Sequence, residues 1–353
     1  MLFLDFSYFL NKVLSTPFLL IIFLLTLGVV FVNGWTDAPN AIATCISTKA
    51  ISPHNAVIMS AFFNFLGVLV MTQLNSTVAM TVKNIVSFKG DISLTMTAFC
   101  AAMTAIILWA LIAWFFGIPT SESHALIAGL SGAAVALNNS FDGINAKEWL
   151  TVIFGLFLST FLGFFLGYFF AGLIKFICKN TERKKSLVFF KNAQIFGGAA
   201  MSFMHGAQDG QKFLGVMILG IFLSEGYDSA LDVSPPLWMM LLVSAVMALG
   251  TSVGGYKIIK KVGLNIAKLE GYQGFAADAA AASCLLFSSL FGLPVSTTHT
   301  KTTAIVGVGV AKRPSNVNFG VVKEMILTWV FTFPCCSIIG YAMAKLFIHI
   351  FIK

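Results

Sequence analysis

Two nine-residue stretches share one plan: Phe116–His124 reads FGIPTSESH and Phe291–His299 reads FGLPVSTTH. Each sets a Gly-x-Pro step, hydroxyls and a histidine among neighbours that are mostly hydrocarbon. Pro119 and Pro294 are expected to stop the incoming helix, and Ser or Thr to cap the outgoing one. A helix opened in this way presents free N–H groups and the positive end of its dipole, which suits an anion. The candidate anion ligands are Ser121, Ser123, Ser296, Thr297 and Thr298. His124 and His299 are candidate relay or orienting groups, and so is Glu122, which stands where the other copy has Thr297.

A second duplicated pattern offers the opposite charge. Phe31–Thr44 reads FVNGWTDAPNAIAT and Ser202–Gly215 reads SFMHGAQDGQKFLG, so Asn33-Gly34 aligns with His205-Gly206 and Asp37 with Asp209. Pro39 after Asp37-Ala38, and glycines on both sides of Asp209, predict local unwinding of both segments. An aspartate at the centre of a membrane helix costs about 2.5–3.5 kcal/mol and marks a partner or a function. Carboxylate, amide and hydroxyl oxygens form a hard site suited to Na⁺ or a proton relay. Asp37, Asn40 and Asp209 are its candidate ligands, Thr36 and Gln211 bring further oxygens, and Lys212 can neutralise Asp209 or meet an anion.

The elements that must position these groups are membrane helices. Of the 353 residues 58% are hydrophobic and 10% charged, and mean hydropathy is +0.90, against about 25% charged in soluble domains. Runs such as 18–32, 149–177 and 237–249 suit an all-α polytopic protein in a lipid bilayer. The net charge of +8 is no nucleic-acid signature here, because Lys and Arg collect in short loops as cytoplasmic anchors do. Residues 179–191 form such a loop, whereas 224–236 carries Glu225, Asp228 and Asp232 without a basic residue. Tracing outward from these anchors gives an inverted-topology repeat with broken helices and two re-entrant hairpins. The first repeat covers 1–178 with its hairpin at about 97–138, and the second covers 192–353 with its hairpin at about 275–311. Both termini then lie outside the cell, and Lys83 and Lys89 fit this tracing poorly. The six cysteines form no CxxC pair and read as small buried hydrophobes. In the Phe-rich stretch 154–170, Gly155, Gly163 and Gly167 are expected to form a helix contact, such as one between subunits.

These motifs resemble the inorganic phosphate transporter (PiT) family, which carries a duplicated G-A-N-D-x-A-N-A motif and a later P-x-S-x-[ST]-H stretch in each half. Here the copies are GWTDAPNA from Gly34 and HGAQDGQK from His205, and the resemblance covers about residues 30–312. It implies secondary transport of inorganic phosphate across the cytoplasmic membrane, coupled to Na⁺ or H⁺, by a homodimer without an enzymatic cofactor. Asp37, Asn40 and Asp209 then help form the cation and phosphate centre, and the hairpin hydroxyls line the phosphate pocket together with Gln208 and Gln211. The motif Asn before each Asp is replaced by Thr36 and Gln208, which leaves the coupling ion open between Na⁺ and H⁺.

Sulfate is the nearest competing substrate, but protonated phosphate can donate a hydrogen bond to an aspartate and fully ionised sulfate cannot. An anion channel is a second alternative. An intramembrane hydrolase is disfavoured, since H-E-x-x-H does not occur and a candidate site duplicated in opposite orientations fits catalysis poorly.

Overall fold

A computed structural model describes residues 5–226 and 233–352 of the chain; Asp228 and Asp232 of the acidic loop lie outside them. The helices of the first half are α1 (Phe6–Ser15), α2 (Pro17–Thr36), α3 (Pro39–Ser47), α4 (Pro53–Leu74), α5 (Thr77–Lys83), α6 (Ile92–Phe115), α7 (Glu122–Asn138) and α8 (Ala146–Ile177). Those of the second half are α9 (Arg183–Ser224), α10 (Leu237–Val253), α11 (Tyr256–Lys260), α12 (Gly271–Leu290), α13 (Thr297–Lys312) and α14 (Phe319–Phe351). Among the described residues, the unit Pro17–Ser47 and helices α4, α6, α8 and α14 are each long and apolar enough to cross a membrane, and Leu237–Val253 with Tyr256–Asn265 forms a further pair bent by 66°.

The packing is reciprocal between the halves. Helix α2 packs on α10 and α9 on α4, while the α6–α7 pair packs on α14 and the α12–α13 pair on α8. Glycines permit the closest crossings. Gly34 faces the main chain at Met247 and Gly250 that at Phe31; Gly206 faces Asn64 and Gly67 faces Phe203. The hairpins repeat this, with Gly132 against Ser337 and Gly340 against Gly129, then Gly167 against Ala304 and Gly307 against Phe164. A Cβ on any of these eight would collide with the facing main chain, as expected where small residues let membrane helices approach.

Both copies of the Phe-Gly step end a helix in the same way. Gly117 and Gly292 are left-handed, with φ of +64° and +67°. Gly117 N–H donates to Trp114 O and Ile118 N–H to Ala113 O, both at 2.9 Å; Gly292 N–H donates to Ser289 O at 3.2 Å and Leu293 N–H to Ser288 O at 2.9 Å. These are Schellman closures. The glycines therefore terminate α6 and α12 two residues ahead of Pro119 and Pro294, which were expected to do so.

Three further expectations change. The first polar motif is broken at Asp37-Ala38, between α2 and α3, but the second is not: α9 runs unbroken through Asp209. It contains no proline, and Gly206 and Gly210 lie against Asn64 and Val68 of α4, so their small size serves a close crossing and not an unwound turn. Helix α9 also begins at Arg183, inside the 179–191 stretch. Finally, Gly155 faces Val295 and Gly163 faces Thr300, so with Gly167 they make an intrachain contact. On the opposite side Phe154, Phe157, Phe161, Phe165 and Phe169 are 57–61% exposed, a surface suited to lipid. Lys83 is buried with its Nζ 4.7 Å from the Phe222 ring centroid, and Lys89 is exposed.

Candidate functional site

Ser121 and Ser296 are the N-caps of α7 and α13, their hydroxyls accepting from His124 N–H at 3.4 Å and His299 N–H at 3.3 Å. The capped helix starts bring Glu122, Ser123, Thr297 and Thr298 against the polar parts of α2, α3 and α9. All four are buried, as are Thr36, Asp37, Asn40, Asp209 and Lys212.

Asp37 is held at the break between α2 and α3. Its Oδ1 accepts from Asn40 Nδ2 at 2.6 Å and from the Thr298 hydroxyl, and Asn40 Nδ2 is also 3.0 Å from Thr298 Oγ1. The Thr297 hydroxyl lies between the two aspartates, 3.3 Å from Asp37 Oδ2 and 3.4 Å from Asp209 Oδ2. One hydroxyl has one proton to donate, so Thr297 can serve either carboxylate but not both at once. Lys212 Nζ is 2.7 Å from Asp209 Oδ1 and 2.6 Å from Ser123 Oγ, and it donates to Val295 O.

Two residues of this centre were aligned in the sequence without being assigned to the site. Asn33 Nδ2 donates to Asp209 Oδ2 at 3.2 Å. His205 Nε2 is 3.4 Å from Asp209 Oδ2 and 4.0 Å from Asp37 Oδ2, while its Nδ1 is 3.1 Å from Asn64 Oδ1. The signal for both was the register that pairs Asp37 with Asp209, since it also pairs Asn33 with His205. Asp37, His205 and Asp209 bring one ligand atom each within 4.8 Å of the others, a separation suited to a small cation. The Asn33, Asn40 and His205 side chains each keep one buried polar atom without a hydrogen bond to the described residues.

Other expected residues are engaged differently. The Thr36 hydroxyl is 2.8 Å from Val32 O and 3.3 Å from Glu122 Oε1, so the additional acid of the α6–α7 tip meets α2. Gln208 Nε2 donates to Ser289 Oγ at 2.9 Å and Leu293 O at 3.3 Å, and Gln211 Nε2 donates to Asn75 O at 2.8 Å. His124 and His299 meet edge to face, with centroids 4.5 Å apart, each stacked on an aromatic ring of α14: Phe333 and Trp329.

A separate buried ion pair lies one turn along α13. Lys301 pairs with Asp278 of α12 and also lies 3.0 Å from Thr44 Oγ1 and 3.3 Å from Ala41 O. Asp278 further accepts from Thr44 at 2.7 Å and from Gln194 of α9. This cluster ties α3, α9, α12 and α13 together beside the Asp37 half of the centre.

Comparison with known proteins gives this arrangement a context. Residues 33–340 match the phosphate transporter family. The chain belongs to that family. A relative in Bacillus subtilis (strain 168), named "Probable low-affinity inorganic phosphate transporter", is 36% identical over 310 residues, which is 88% of this chain and 91% of the relative. One of the same name in Rhizobium meliloti (strain 1021) is 34% identical, covering 94% of this chain and 96% of its own. Among solved structures, one described as "The sodium-dependent phosphate transporter" superposes with a TM-score of 0.81 over 95% of this chain and all of the other, at 24% identity. At that identity the superposition establishes the fold. This phosphate transporter family member is thus an all-helical protein with several apolar helices, built like a transporter of known structure.

Proposed function

We propose that the chain is a secondary transporter carrying inorganic phosphate across the cytoplasmic membrane together with a cation, Na⁺ or H⁺. The observation that carries this reading is the shared position of Thr297 between Asp37 and Asp209, which brings helix α13's first turn to two carboxylates from different halves. Phosphate is recognised by the hydroxyls and N–H groups at the starts of α7 and α13. The aspartate centre takes up the coupling cation, which offsets the anion's charge. Each ligand then stabilises the other's site, and this mutual stabilisation is the coupling. Relatives named as inorganic phosphate transporters support the substrate, and the structural relative named as sodium-dependent makes Na⁺ the first ion to test.

The architecture belonging to this reading is an inverted repeat, with halves at 1–178 and 192–353, a 179–191 connection and both termini outside. The reciprocal glycine crossings support it. So does the meeting of the two hairpin tips at His124 and His299 inside the bundle, as two re-entrant hairpins require. Alternating access follows when one unit moves against the rest. The burial of the centre fits a carrier better than an open anion channel. A homodimer is the proposed assembly.

The substrate is tested by competition in proteoliposomes. Unlabelled phosphate and arsenate should both suppress labelled phosphate uptake, and sulfate should not. Uptake of labelled sulfate in place of phosphate overturns the substrate assignment.

A further inference from the structure

The two sides of the centre share one plan, in which the third residue after each aspartate differs in charge. Three positions after Asp37 stands Asn40, and three after Asp209 stands Lys212. Asn40 Nδ2 contacts Asp37 Oδ1 and Thr298 Oγ1, at 2.6 and 3.0 Å. Lys212 Nζ contacts Asp209 Oδ1 and Ser123 Oγ, at 2.7 and 2.6 Å. Ser123 and Thr298 hold the same place in FGIPTSESH and FGLPVSTTH. Each aspartate thus meets its third neighbour, which in turn meets a hydroxyl from the other half's hairpin. One of these sets contains a neutral amide and the other an ammonium.

The oxygens around Lys212 explain the exchange. A carboxylate oxygen, a hydroxyl and the Val295 carbonyl converge on Nζ. That is the hard-oxygen ligand chemistry of a metal cation, and three acceptors match the three N–H groups of an ammonium. Lys212 is 1% exposed, and its charge sits on a side chain that cannot leave. On the Asp37 side, the buried Asn40 Oδ1 accepts no hydrogen bond from the described residues, so an oxygen remains available beside the carboxylate.

We infer that Lys212 is a tethered cation filling one of two equivalent cation positions, so that the mobile coupling cation is taken on the Asp37 side alone. This rests on the symport reading above and specifies it: the transporter moves one cation fewer per phosphate than the same scaffold with Asn at position 212.

The test measures radiolabelled phosphate binding to purified protein while titrating the cation, Na⁺ or H⁺, that drives wild-type uptake. Lys212→Asn places the same amide three residues after both aspartates. The slope of log phosphate affinity against log cation concentration should rise by about one, with affinity at low cation down roughly tenfold or more. Lys212→Arg keeps a tethered charge and should keep the wild-type slope, whatever its affinity. Asn40→Lys supplies a second tethered charge and should lower the slope by about one. An unchanged slope in Lys212→Asn overturns the inference; if that variant does not fold, an unchanged slope in Asn40→Lys does so. Wild-type protein that neither binds phosphate nor couples its uptake to either gradient defeats the symport reading itself. Coupled wild-type uptake with insensitive slopes defeats only the assignment of Lys212.

Discussion

Thr298 concentrates the chemistry of the first half-site in one hydroxyl, which donates to Asp37 and lies beside Asn40. Thr298→Val keeps the shape and removes that hydroxyl, leaving buried polar partners unsatisfied at about 1–3 kcal/mol. Phosphate uptake should fall roughly tenfold or more, with Thr298→Ser restoring most of it in initial-rate assays. Asp37→Asn and Asp209→Asn should each abolish coupled uptake while the protein stays inserted, as membrane-fraction blots alongside transport would check. Much of this centre was legible because duplication singled out the same acid twice. The directions of Gln208 and Gln211 were not: with α9 unbroken, their side-chain azimuth is set by its packing on α4, α5 and α12. Nor was the ring of partners around Asp278, which comes from three other elements.

At the scale of elements, the fold depends on helix crossings and on the buried Asp278–Lys301 ion pair. Gly67 faces the Phe203 main chain with no room for a methyl group, so Gly67→Ala should force α4 from α9 and cost about 1–3 kcal/mol. A lower Tm in detergent would register it. The Asp278–Lys301 pair has no counterpart in the first half, where the aligned positions are Met103 and Leu126. Lys301→Met alone strands a buried carboxylate and should cost about 3–5 kcal/mol, whereas Asp278→Leu with Lys301→Met should recover most of it. Thermal unfolding of the single and double variants measures this coupling. The break before α3 was readable from Pro39, which cannot supply an N–H and disfavours the preceding turn. The continuity of α9 was not readable, because a glycine serves a bend or a close crossing according to what faces it, and here α4 faces it.

For the whole molecule, reciprocal packing means that each half supplies what the other half's aspartate requires: Thr298 reaches Asp37, and Ser123 reaches Asp209 through Lys212. Cation and phosphate occupancy are then linked through the helices that must move for access. The measurement that tests this most directly is labelled phosphate accumulation in proteoliposomes under an imposed Na⁺ or proton gradient, with membrane current recorded in parallel. Concentrative uptake driven by one of these gradients, and lost when it is collapsed, is expected. Phosphate entry that only equilibrates, indifferent to both gradients and accompanied by conductance far above carrier turnover, would contradict this coupling.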